Sequence, residues 1–254
     1  MTYQPDLVIK EHKDSVYCIA QLSSGILASC SKDKTIKLFN IKENDYEIIQ
    51  TLKYHTKAVF KIIELKNNNL ISCSDDSSLI IYSKQNKEYK KDFQISSNYR
   101  CSSVLQIKDN EICYSVFNSD NTIYFFDLSE RKIKATLTNI TKCNNQREWL
   151  IMISKDLLLI PGEKELSIIN INEYKLIRKI KAFDSPWLCG VCRINNNMIV
   201  TGDDSKIKQW KIEKDNIVLV SQKDNAHKGW INALLNFGNG YIVSGSDDNT
   251  IKIW

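Results

Sequence analysis

Histidine, proline and glycine are all scarce in this chain, at three, three and eight among 254 residues. Three imidazoles leave little for general acid–base chemistry once a frame has used them. So few glycines and prolines allow tight turns between short strands and nothing looser. No apolar run reaches the roughly 20 residues of a membrane-spanning helix, and the longest, "WLIMISKDLLLI", is broken by Lys155 and Asp156. The start, "MTYQPDLVIKEHKD", has no basic segment followed by an apolar one, so no secretory signal is read there. G-x-x-x-x-G-K-[ST], H-E-x-x-H and G-x-S-x-G are missing, and no useful length has helical periodicity. These absences point to a soluble protein of the cytoplasm, with the nucleus as the alternative.

What is present is apolar material at 43% of the chain, ample for a core. Length alone allows one large all-β domain or two ordinary ones. The net charge of +5, from 35 basic and 30 acidic residues, is scattered and forms no stripe, so nucleic acid is not an expected partner. The charged patch from Lys87 to Lys91 reads as a solvated strand edge. Eight cysteines suit a reducing compartment. Cys30 and Cys73, each between two serines, look like strand fillers. Cys189 and Cys192 have C-x-x-C spacing but no second ligand pair follows, so neither metal nor redox chemistry is expected of them.

The decisive feature is a repeat. "HKDSVYCIAQLSSGILASCSKDKTIKLFN", "HTKAVFKIIELKNNNLISCSDDSSLIIYS" and "HKGWINALLNFGNGYIVSGSDDNTIKIW" follow one template: a histidine, apolar residues three apart, a turn, a strand ending in Ser-x-Ser, an Asp-centred turn, and an alternating strand ending in an aromatic. His12 and His55 are 43 positions apart, and the same step lands on Asn98, Thr141, Asp184 and His227. The turn acids Asp33, Asp76, Asp120, Glu163, Asp204 and Asp248 keep that phase, as do Phe39, Tyr82, Phe126, Ile169, Trp210 and Trp254 at the strand ends. The fourth copy is the most degraded. Further β-type runs between copies ("EIIQTL", "KDFQI", "KIKATL", "KLIRKI", "NIVLVS") give each repeat four strands, the composition of a β-propeller blade.

"SGSDDNTIKIW" and "SCSKDKTIKLFN" are similar to the hallmark of the WD-repeat (WD40) family, and the resemblance covers essentially the whole chain. It departs in that only two copies end in Trp, the glycine before the histidine is missing, and copies three and four lack both His and Trp. The six copies and the resemblance together lead to the expectation of a single all-β propeller domain over 1–254 with six blades. The strand "DLVIK" before His12 is expected to complete the last blade. A truncated seven-bladed parent is the alternative.

A Ser/His/Asp set is also what a hydrolase uses, but here it recurs at fixed phase, and all three histidines fill the same slot. The resemblance assigns that slot to a structural tetrad linking His, Ser or Thr, Asp and the strand-ending aromatic. His227, Ser244, Asp248 and Trp254 make a complete set. His12, Ser29 and Asp33 stand with Phe39, and His55, Ser72 and Asp76 with Tyr82. The fifth copy keeps Thr201, Asp204 and Trp210 with Asp184 in the His slot. Antiparallel order returns each Asp turn to the end where the His lies, so these loops share one face. On it the resemblance points to Tyr17, Phe60, Trp187, Trp230 and Asn232, with the acids Asp75, Asp203 and Asp247 beside them, as peptide-binding positions. Aromatics with exposed acids suit short basic peptide segments. The expectation is a non-enzymatic scaffold, monomeric within a larger complex, using no cofactor, metal or membrane. A propeller-based enzyme and a purely architectural subunit are the rivals.

Overall fold

The computed structural model describes residues 7–117, 122–140, 150–162, 164–183 and 190–254. Among them there is no helix. The chain divides into two compact units, Met1–Asn118 and Ser119–Trp254.

In the first unit, strands Val16–Gln21, Leu27–Ser31, Ile36–Ile41 and Tyr46–Leu52 form the first sheet, and Val59–Glu64, Leu70–Ser74, Ser78–Gln85 and Glu88–Ser96 the second. The third sheet takes Arg100–Lys108 and Glu111–Phe117 from the first unit and Ile123–Asp127 and Lys132–Leu137 from the second. In the second unit follow Ile151–Met152, Leu157–Pro161, Glu165–Asn170 and Lys175–Lys181, then Gly190–Asn195, Met198–Gly202, Ile207–Glu213 and Asn216–Lys223. The sixth sheet, Ile231–Gly238, Tyr241–Ser246 and Ile251–Ile253, has three strands among the described residues. Every sheet is an antiparallel meander. The fold class is all-β, a six-bladed β-propeller.

Burial follows strand position. The second strand of sheet two, Leu70–Ser74, is buried at every residue, because neighbouring layers cover both of its faces. Its fourth strand is an edge, with Glu88, Lys90 and Lys91 in solvent, where charge discourages pairing with another chain. The first unit's core joins sheets one and two through Leu22, Leu38, Val59, Ile62, Ile80 and Tyr82. In the second unit Leu159, Ile168, Val191, Ile199 and Trp210 pack sheets four and five together. Sheet six meets sheet five at Gly202, where an added Cβ would lie 2.8 Å from Ile231 Cγ2.

Two irregularities recur in register. A bulge precedes the strand-ending position in all five four-stranded sheets, at Leu38/Phe39, Ile81/Tyr82, Phe125/Phe126, Ile168/Ile169 and Gln209/Trp210. A second bulge sits at the start of the first strand, at Val16/Cys18, Val59/Lys61 and Ile231/Ala233. The turns after Asp33, Asp76 and Asp248 each place the next residue in the left-handed region, with φ of 74° at Lys34, 66° at Ser77 and 64° at Asn249.

The strand expected at "DLVIK" differs from the structure. Asp6 lies outside the described residues, and 7–10 form no strand, with Val8 54% exposed. An extended segment without a ladder partner has nothing to hold it as a strand.

Candidate functional site

Each histidine sits in a loop ahead of a first strand, each serine in the second strand, and each aspartate in the turn that follows it. His227 Nδ1 is 2.9 Å from Asp248 Oδ2, and its Nε2 is 2.7 Å from Ser244 Oγ. Trp254 donates its indole N–H to the same Ser244 Oγ at 2.8 Å. In the second sheet the corresponding distances are 2.8 Å from His55 to Asp76 and 2.7 Å to Ser72, with the Tyr82 hydroxyl 3.0 Å from Ser72 Oγ. In the first they are 2.8 Å from His12 to Asp33 and 2.7 Å to Ser29, with Phe39 buried beside them and bringing no polar atom. An ionised aspartate takes the Nδ1–H, so Nε2 accepts from the serine, whose oxygen is then free to accept from the indole or phenol.

The turn carboxylates are held well below their ordinary range. For Asp33 and Asp76 burial pushes upward, but it is outweighed by hydrogen bonds from the neighbouring hydroxyl, a backbone amide and the histidine. For Asp248 the Thr250 hydroxyl and the Lys228 amide are the leading causes. The serines are fixed inside the sheets, with Ser72 and Ser244 at 0% exposure and Ser29 at 5%. A nucleophile must reach its substrate, and these oxygens do not.

Sequence reasoning missed several members of this network. Thr35, Ser78 and Thr250 donate hydroxyls to the aspartate Oδ1 at 2.7, 2.6 and 2.6 Å. Ser31, Ser74 and Ser246 accept the aspartate amide at 3.0, 3.1 and 3.2 Å and donate to the carbonyls of Asp14, Ala58 and Gly229. The signal was present as the second serine of Ser-x-Ser and the Thr or Ser two places after the acid.

The WD domain, G-beta repeat, family matches residues 3–40, 46–83 and 220–254, the three segments that carry the histidines. These three repeats and the six-bladed β-propeller match a WD-repeat propeller family. No curated protein matches it.

The fifth repeat departs from the others. Trp210 donates to Thr201 Oγ1 at 2.9 Å, while Asp184 in the His slot lies outside the described residues. It is Asp203 whose Oδ1 accepts the turn amides of Ser205 and Lys206, at 3.3 and 2.9 Å. Asp203, expected as an exposed rim acid, is 2% exposed and lies 3.8 Å from the buried Lys208 ammonium. With no histidine to draw the second acid inward, the first turns in to the lysine. Burial pushes the Asp203 carboxyl upward, ahead of the lowering by the turn amides. Lys208 also donates to Ala182 O, and Lys252 occupies the same slot in the sixth repeat, donating to Ala226 O.

At the rim the first-strand bulge decides which side chains stand out. Tyr17, Phe60 and Asn232 are the residues the bulges leave without register partners, an arrangement that re-aims a side chain away from the ladder. In the first unit the Tyr17 and Phe60 rings meet at 5.5 Å, and both are half-buried. Near the same end Asp75 is paired with Arg100 at 3.3 Å, and that guanidinium lies 4.5 Å over the Phe117 ring. In the second unit Trp230 is 43% exposed, and Asn232 Nδ2 donates to the exposed Asp247. Trp187 lies outside the described residues. Among the described residues no three His, Cys, Asp or Glu side chains are grouped to hold a metal ion.

Proposed function

We propose that this WD-repeat chain is a non-enzymatic scaffold that binds peptide segments of partner proteins on the end carrying the His loops and Asp turns. WD-repeat propellers are generally protein-interaction scaffolds. The observation that carries the reading here is the recurrent bulge, which sets Tyr17, Phe60 and Asn232 at one repeat position, with the exposed Trp230 two residues before Asn232. Aromatic faces beside the Asp75 and Asp247 carboxylates suit an arginine- or lysine-containing segment. The Arg100 guanidinium, held by Asp75 and lying over Phe117, is this chain's own example of such a contact.

The experiment is a peptide array of basic and charge-neutral sequences probed with wild type, Tyr17→Ala/Phe60→Ala and Trp230→Ala proteins. Binding of basic peptides that the variants weaken supports the reading. Equal binding by all proteins, or a hydrolysed peptide product, overturns it.

A further inference from the structure

Two thiols outside the rim face each other across the first two strands of sheet one. Cys18 and Cys30 are direct register partners. Cα atoms of such antiparallel pairs stand about 4.5–5.5 Å apart, within the span a disulfide accepts. The Cys18 thiol donates weakly to the carbonyls of Ile19 and Ile62, at 3.6 and 3.9 Å. Cys30 is fully buried, whereas Cys18 is only half-buried and stays within reach of a small reagent.

The second sheet supplies the charge. Its register sets Lys61 opposite Cys73, one repeat along from Cys18 and Cys30. The Lys61 ammonium donates to Ser103 Oγ at 3.1 Å and acts electrostatically on the Cys18 thiol. The Cys30 thiol across the pair chiefly, then the Ile62 backbone and last that ammonium, bring the Cys18 thiol down to about 6 against the opposing pull of burial. Burial pushes the thiols of Cys73, Cys101, Cys113 and Cys192 the opposite way, Cys101 and Cys113 to about 12 and Cys192 to about 11, and the neighbouring Cys18 thiol chiefly raises that of Cys30.

We propose that Cys18 and Cys30 form a reversible dithiol site for hydroperoxides, with Cys18 as the attacking sulfur and Cys30 as the resolving one. The Cys18 thiolate attacks the peroxide O–O bond; an S–O bond forms, the O–O bond breaks, and the departing alkoxide or hydroxide takes a proton. Cys30 sulfur then attacks the Cys18 sulfenic acid; the S–S bond forms and the S–O bond breaks. The hydroxide leaves with the Cys30 proton as water. Two thiols lose two electrons and the hydroperoxide gains them. The new bond ties the first strand to the second one residue from Tyr17, so the oxidised form carries a stiffened rim in the first repeat.

A single tryptic peptide, residues 14–32, holds both cysteines and no other. The reduced full chain is titrated with hydrogen peroxide, alkylated, digested and weighed. The expected first product is peptide 14–32 lighter by the mass of two hydrogens and free of alkylation, restored by dithiothreitol. Cys30→Ser should leave a Cys18 sulfenic acid that dimedone traps. Lys61→Met should slow Cys18 oxidation at pH 7 by no more than about twofold, through a partial loss of thiolate. Oxidation of Cys101 or Cys113 before Cys18, or intermolecular products in place of the internal bond, overturns the proposal. The wild-type measurement stands whether or not the variants fold.

Discussion

The Tyr82 hydroxyl lies 3.0 Å from Ser72 Oγ, filling the place that the Trp254 indole N–H takes on Ser244. A phenol therefore substitutes for an indole inside the second sheet, and the buried serine keeps a donor. Tyr82→Phe removes that donor while leaving the ring. The expected loss is about 1 kcal/mol of unfolding free energy, read by urea denaturation. Tyr82→Trp should recover part of it. An unchanged midpoint for Tyr82→Phe would show that the hydroxyl contributes nothing to the network.

The turn aspartates predict the response to acid. The Asp76 carboxyl lies below its ordinary value of 3.8 in the folded chain. The unfolded state therefore binds the proton first as pH falls, and stability present above about 3.8 is lost progressively below it. Asp76→Asn should be less stable than wild type at neutral pH and lose less on acidification. Thermal melts at pH 7 and pH 3 measure both slopes. Parallel slopes would remove Asp76 from the acid response.

The repeat was legible because its chemistry is local. A histidine, a Ser-x-Ser strand, an Asp turn and an aromatic recur at one spacing, and buried polar groups of those types satisfy one another only in one register. The bulges were not legible. Tyr17 and Phe60 stand in the alternation like any other strand residues, and only the ladder shows them unpaired. Nor could the pattern separate Asp203 from Asp204. The acids in Asp75/Asp76, Asp203/Asp204 and Asp247/Asp248 read alike, and what turns one inward is the partner, His55 or His227 in two repeats and Lys208 in the third. The histidines arrive from a loop 21 residues upstream, and Lys208, though only five residues after Asp203, reads in the sequence as one more outward residue of an alternating strand.

Ser77 carries a cost that substitution should remove. Its φ of 66° lies in the left-handed region, which asparagine tolerates and glycine enters freely. Asn249 already fills the matching position in the sixth repeat. Ser77→Gly is expected to stabilise the chain by about 0.5–1 kcal/mol, since relief of the left-handed penalty exceeds the entropy that glycine adds to the unfolded state. A lower melting temperature for Ser77→Gly would mean that its side chain contributes more than its backbone costs.

Asp203 and Asp204 are adjacent and identical in type, so comparing them isolates the effect of environment. Asp203 is 2% exposed, accepts two turn amides and faces Lys208, whose side chain is 7% exposed. Removing one partner of a buried ion pair leaves the other charge without compensation, which costs about 3–5 kcal/mol. Asp203→Ala should therefore depress stability strongly, while Asp204→Ala should cost well under half as much. The double variant Asp203→Ala/Lys208→Met separates the pair from the turn. If the loss comes from a stranded ammonium, the second substitution restores much of it; if it comes from the turn amides of Ser205 and Lys206, the double variant stays as unstable as Asp203→Ala. Equal, small losses for both single variants would return Asp203 to the solvent-facing rim, because an exposed carboxylate strands nothing when it is removed.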